Sequence, residues 1–349
     1  MSFVNFVVNH FIVLDKIFKI FFNEFIAIVN FMKKNILWII SVAVTGVLLF
    51  FIFRKIDPTT VFHHLEDARL MPLIYALAIS FITNCLLATF KWQFIVSRLG
   101  LILTFREAFL IKMGSAPVKN LLPFRSGEAS RVIYLKRRYN FSAALATGSI
   151  LIELFLNILI FLCFIVIGGI IFKISLDGFI YFITGGLGAV ILIGLIASRT
   201  TPRRWVRNLI AKIPYPRLRG GLETFFTLHR FFSSREMGML ILYSLLIQSG
   251  KLLTFYLIIR SFGLALPPLI YLVILPFSIL ISTIPITFLG IGIREGSLIK
   301  LIPIYSSITG TAVLGPALIF SLVEYLFPAL LGLLWTGRFT RGMLDGRKK

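Results

Sequence analysis

Six apolar stretches, each long enough to cross a bilayer, constrain what this chain can fold into. They cover 35–53, 72–96, 142–172, 178–198, 237–260 and 308–337. A helix needs about 20 apolar residues to span the hydrocarbon core, because lipid offers backbone groups no alternative hydrogen-bond partner. Two further stretches are apolar but broken. Residues 103–138 carry Gly114, Pro117, Pro123 and Gly127, and residues 265–305 carry Pro267, Pro268, Pro276, Pro285, Gly290, Gly292 and Pro303. Proline and glycine at this density interrupt helices, and interrupted helices at membrane depth need shelter from protein or a water-filled cavity. Both stretches therefore read as re-entrant hairpins. The expected fold is an all-α polytopic membrane protein with about six full crossings, which hydropathy alone would count as seven or eight.

Composition agrees: 58% of the 349 residues are hydrophobic, 14% are charged, and the mean hydropathy is +0.94. A soluble domain carries about 25% charged residues. The net charge of +22 points to anionic lipid at the cytoplasmic face, not to nucleic acid. Basic residues cluster at 91–138, at 199–235 and in the tail with Arg338, Arg341, Arg347, Lys348 and Lys349. The positive-inside rule puts all three clusters, and both termini, in the cytoplasm of a cell membrane. Hairpin one then enters from the cytoplasm and hairpin two from outside. Residues 1–34 place Asn5, Asn9, Lys16, Lys19, Asn23 and Asn30 on one arc of a helical wheel, as in an amphipathic helix lying in the interface. Cys85 and Cys163 both lie in apolar runs and suggest neither a disulfide framework nor a metal site.

Opposite entry of two hairpins implies an inverted repeat. Span 72–96 runs into Arg98-Leu-Gly100-Leu, and span 237–260 into Ser261-Phe-Gly263-Leu. Glu128 in hairpin one has Glu295 as its counterpart in hairpin two, and Glu153 in the next helix has Glu324. The offsets, 263−100, 295−128 and 324−153, are 163, 167 and 171. The domain order expected is an interfacial helix (1–34), a membrane domain (35–337) and a basic tail (338–349). Within the membrane domain, half one covers 72–172, a connector 173–236, and half two 237–337.

Polar residues inside the spans mark the candidate site. Glu153 has Ser149 and Asn157 on its helix face, Lys251 has Gln248 and Ser244, and Asn84 has Ser80. A charge at the bilayer centre costs about 2.5–3.5 kcal/mol on insertion scales, so it faces protein or water. Lys91, beside a basic segment, reads as snorkelling to the cytoplasmic surface.

The motifs resemble the flippase-like family, which includes the membrane region of lysylphosphatidylglycerol synthases. Thr89-Phe-Lys91-Trp92 is similar to its "RW" signature, and Pro123-Phe-Arg125-Ser-Gly127-Glu128-Ala-Ser-Arg131 to its P-x-R-x-G-E-x-x-R motif. Pro285-Ile-Thr-Phe-Leu-Gly290-Ile-Gly292-Ile-Arg294-Glu295 is similar to the second motif, with Leu289 in place of one glycine. The resemblance implies a lipid-handling membrane domain, here expected to stand without the aminoacyl-transferase domain of the synthases.

The expected function is a translocase that moves an amphiphile with a charged head group between leaflets: a phospholipid, an aminoacyl-phospholipid or a polyprenyl phosphate. Arg125, Arg131 and Arg294 would engage phosphate. Glu128, Glu153, Glu295, Glu324 and Lys251 complete the substrate-binding set, and Gly127, Pro123, Pro285, Gly290 and Gly292 form the turns. No cofactor and no catalytic residue is expected, because no HExxH or P-loop is present. Homo-oligomerisation is compatible with the sequence without being specified by it. The best enzyme alternative is a membrane glycosyltransferase with a polyprenyl-linked donor, for which His63, His64, Glu66 and Asp67 would be a weak metal site. A membrane partner protein that transports nothing is the third reading.

Overall fold

A computed structural model describes residues 69–121, 128–172, 232–283 and 290–344. The expected interfacial helix, spans 35–53 and 178–198, the basic loop through 231, the histidine pair, and the hairpin tips with Pro123, Arg125, Gly127 and Pro285 lie outside the described residues. What is described is helical, in the order long helix, broken pair, long helix, given twice. In half one these are α1 (Leu70–Arg98), α2 (Phe105–Leu121), α3 (Ala129–Tyr139) and α4 (Ala143–Ile171). In half two they are α5 (Ser234–Ser261), α6 (Ile270–Ser282), α7 (Ile293–Tyr305) and α8 (Gly310–Met343). Among the described residues, α1, α4, α5 and α8 are long and apolar enough to cross a membrane.

Local chemistry sets the boundaries. α1 ends at Gly100, with φ +99°, where Leu101 N–H reaches back to the Val96 carbonyl at 3.1 Å. α5 ends in the same way at Gly263, with φ +68°, and Leu264 N–H bonds the Ile259 carbonyl at 3.2 Å. A left-handed residue closing a helix with this back-bond strongly favours glycine. The matched Gly-Leu pairs in the sequence are thus one turn used twice. α5 opens with a reciprocal cap: Ser233 Oγ accepts from Glu236 N–H at 3.3 Å, and Glu236 Oε2 accepts from Ser233 N–H at 2.6 Å.

The two halves are inverted. α1 and α5 run antiparallel, tied by Arg69 N–H to the Ser261 carbonyl at 2.8 Å and, at the other end, by Arg98 to Glu236 at 2.9 Å. The ends of hairpin one (α2 and α3) pack at the Arg98 end, where Leu103, Ala108, Leu135 and Ala143 meet Val96 and Phe339. The ends of hairpin two (α6 and α7) pack at the opposite end, where Leu266, Ile270 and Ile302 meet Ala76, Ile258 and Val313. Each hairpin also docks on the last helix of the other half. α2 lies along α8, with Gly332 against the Met113 carbonyl and Gly114 against Phe339. α6 lies along α4, with Gly168 against Val273 and Leu272. Small residues let these backbones approach closely, which is how helices gain packing energy where lipid removes the hydrophobic drive. α8 continues past Gly337, and Phe339 is buried, stacked on Tyr134 at 5.0 Å.

At the tip of hairpin two, Gly290 (φ +72°) lies so close to Ser282 that a Cβ would sit 2.8 Å from its carbonyl oxygen, and Gly292 has φ +91°. Leucine at either position is expected to lower the melting temperature of the purified protein by several degrees more than leucine at Gly169, which has open space around it. Equal tolerance at all three positions would show that the tip needs no left-handed backbone.

Candidate functional site

Half one gathers its charges around Glu153. This residue lies about 15 Å along α4 from Ala143 at 1.5 Å per residue, half the thickness of a hydrocarbon core. Glu153 Oε1 accepts from Lys112 Nζ on α2 at 2.6 Å, and Oε2 from Arg131 Nη1 on α3 at 3.2 Å. Lys112 also donates to the Ala88 carbonyl of α1 at 2.7 Å, just after a π-helical segment, Phe81–Leu87. Arg131 pairs with Glu128 one turn earlier, and its guanidinium lies 5.3 Å from the centre of the Trp92 ring. Glu128 takes Lys119 as a second cation at 2.8 Å.

Lys91 does not snorkel. Its side chain is 0% exposed, with Nζ donating to Asn157 Oδ1 at 2.7 Å and Ser244 Oγ at 3.1 Å. α1 continues for a further two turns beyond Lys91 before reaching Arg98, so the ammonium lies inside the bundle, where α4 and α5 supply oxygens. The interior of half one therefore holds Lys91, Lys112 and Arg131 against the carboxylates of Glu128 and Glu153, a surplus of one positive charge among the described residues, while Lys119 reaches Glu128 from a side chain that is 42% exposed.

Half two is built differently. Glu295 caps α7, its Oε2 accepting from Gly292 N–H at 2.6 Å, and its Oε1 accepts from Arg294 Nη2 at 3.2 Å and from the Ser321 hydroxyl. Arg294 donates from Nε and Nη2 to Ser321 Oγ at 3.1 and 2.6 Å and stacks 4.2 Å from the Tyr325 ring centre. Its Nη1 has no partner among the described residues. Glu324 lies in a second π-helical segment, Leu322–Leu326, which faces that of α1. There Asn84 Nδ2 donates to Glu324 Oε2 at 2.9 Å, and Ser80 Oγ to the Val323 carbonyl at 2.9 Å. Glu324 Oε1 is buried without a partner among the described residues. π-helical turns expose backbone irregularly and occur often at functional sites.

The structure thus joins Glu128, Arg131 and Glu153 in one cluster and Arg294 with Glu295 in another. Glu324 lies one turn from Ser321, while Lys251 lies apart, its Nζ 5.8 Å from the Phe161 ring centre. Lys91 and Lys112 join the site without having been singled out for it, while Asn157 and Ser244, read from the sequence as face-mates of Glu153 and Lys251, hold Lys91 instead. For Lys91 a signal existed, because Ser80, Asn84 and Lys91 recur on one helix face.

Residues 38–332 match the lysylphosphatidylglycerol synthase TM region. The chain belongs to this family. No curated protein is significantly similar to it. For this lysylphosphatidylglycerol synthase TM-region chain, the family and the long apolar helices together establish a multi-pass membrane protein.

The matched acids should differ when neutralised. Glu153→Gln leaves Lys112 and Arg131 facing a neutral amide, and breaking a buried pair costs about 3–5 kcal/mol. Membrane abundance and melting temperature are expected to fall for Glu153→Gln and to stay near wild type for Glu324→Gln, whose amide can still bond Asn84. Equal losses in both variants would contradict the asymmetry.

Proposed function

We propose that the chain moves an amphiphile with a phosphate-bearing head group between the leaflets of a cell membrane, with the basic end of the bundle in the cytoplasm. The observation that carries this reading is the surplus of buried positive charge, between halves whose hairpins pack at opposite ends of the bundle. A purely structural interior would balance its charges or replace them with apolar residues, since unpaired buried charge is costly. An interior that accepts an anionic group in passing gains from the surplus. The inverted arrangement supports alternating access, in which one half rocks against the other around a central site. The acyl chains remain in lipid throughout.

In this reading Arg131 and Arg294 engage phosphate oxygens, since guanidinium presents paired donors, a role the sequence motif also offers to Arg125. Glu128 and Glu295 hold those arginines in place. The uncommitted oxygen of Glu324 is open to Arg294 or to a cationic part of the head group as it passes.

The test is translocation of a head-group-labelled phosphatidylglycerol in reconstituted vesicles. The wild-type chain is expected to equilibrate the label far faster than protein-free vesicles. Glu324→Gln is expected to slow it roughly tenfold, about 1.4 kcal/mol of barrier, at unchanged protein content. A wild-type rate no greater than that of protein-free vesicles would overturn the proposal.

A further inference from the structure

Two buried or half-buried lysines in the bundle lack the carboxylate partners that Lys112, Lys119 and Arg131 possess. Lys91 bonds only the neutral oxygens of Asn157 on α4 and Ser244 on α5. Lys251, half-buried on α5, has its ammonium 5.8 Å over the Phe161 ring of α4. Neither has a carboxylate within 4.0 Å among the described residues. The two oxygens of Glu153, one turn from Asn157, are already committed to Lys112 and Arg131.

The two lysines belong to one place. Ser244, Gln248 and Lys251 follow one another on a single face of α5, and Asn157 and Phe161 on a single face of α4, at the spacing that puts successive turns in line. Lys91 joins the first turn of each face, through Ser244 and Asn157, and Lys251 joins the second turn through Phe161. Gln248 therefore lies between the two cation levels. It is fully buried, and neither its amide nitrogen nor its carbonyl oxygen has a hydrogen-bond partner among the described residues. Buried amides are nearly always bonded, and leaving one unmade costs the desolvation of the group. An unsatisfied amide near two ammonium groups that have no carboxylate hydrogen-bond partner among the described residues leaves hydrogen-bonding capacity that a ligand can take.

We propose that Lys91, Gln248 and Lys251 form a binding site for a phosphate group at the waist where α1, α4 and α5 meet. The charge of the ligand follows from the two cations. Several acceptor oxygens are needed to take N–H donors from two ammonium groups and an amide at once, and phosphate provides them. The site deepens the translocase reading and rests on it for the source of the phosphate, the head group of a membrane lipid. Free inorganic phosphate presents the same chemistry, and the experiment separates the two.

The test uses the full chain purified in neutral detergent, with phosphatidic acid, diacylglycerol and inorganic phosphate as probes. Wild type is expected to bind phosphatidic acid saturably, and Lys91→Gln and Lys251→Gln each to weaken that binding roughly tenfold, the scale of one charged hydrogen bond. Diacylglycerol retention should be the same in all three proteins. Gln248→Leu guards against misfolding as an explanation. It removes an unsatisfied amide, so the melting temperature should hold or rise while phosphatidic acid binding weakens. Inorganic phosphate binding that the lysine variants lose, without any lipid binding, supports the site and overturns the lipid source. Phosphate-site binding without translocation in vesicles supports the site and overturns the transport reading. Wild-type binding of both phosphate probes in the lysine variants overturns the site, as does a Gln248→Leu variant that melts earlier and binds phosphatidic acid normally.

Discussion

A carboxylate at the middle of a bilayer must be neutralised by something close, and Glu153 shows what this requirement organises. Its two oxygens take one cation each, Lys112 from α2 and Arg131 from α3, and Lys112 in turn holds an α1 carbonyl. One side chain on α4 thereby fixes both arms of hairpin one, α2 and α3, and the helix before them. The apolar contacts of α2 with α8 depend on close approach at Gly114 and Gly332, and that approach would be lost if the arms were free to slide. In lipid, packing and internal polar bonds must do what the hydrophobic effect does in water.

The second half repeats the architecture without repeating the neutralisation. Arg294 is held by Ser321 and Glu295, while Glu324 has only Asn84. A saturated acid in one half and an open one in the other give the two halves different work. Half one is locked by its ion pairs and carries the surplus of positive charge. Half two keeps an arginine donor and a carboxylate oxygen uncommitted, at a crossing of two π-helical segments.

Much of the frame was legible in the sequence. Apolar length gave the long helices that are described, Gly290 and Gly292 marked the break before α7, and Gly100 and Gly263 marked one turn used twice, whereas Gly114, Pro117, Pro276 and Pro303, expected to interrupt helices, lie inside α2, α6 and α7. The asymmetry was hidden because Glu153 and Glu324 have similar local patterns, a serine one turn before each. Their difference comes from other helices: Lys112 is 41 residues from Glu153, and Asn84 is 240 from Glu324. Lys91 was misread for the same reason. A lysine near the end of a span, beside a basic segment, has the local signature of snorkelling, and its partners lie 66 and 153 residues away. The π-helical segments carry no clear sequence mark, since Ser80 and Asn84 are spaced as in an ordinary α-helix.

Inversion of the two halves is tested most directly by single cysteines at the mouths of the two hairpins, Thr104→Cys and Thr309→Cys, in a chain lacking Cys85 and Cys163. Both threonines are exposed, at opposite ends of the bundle. In intact cells an impermeant thiol reagent is expected to label position 309, and position 104 only after permeabilisation. Labelling of both positions from the same side would contradict the inverted arrangement.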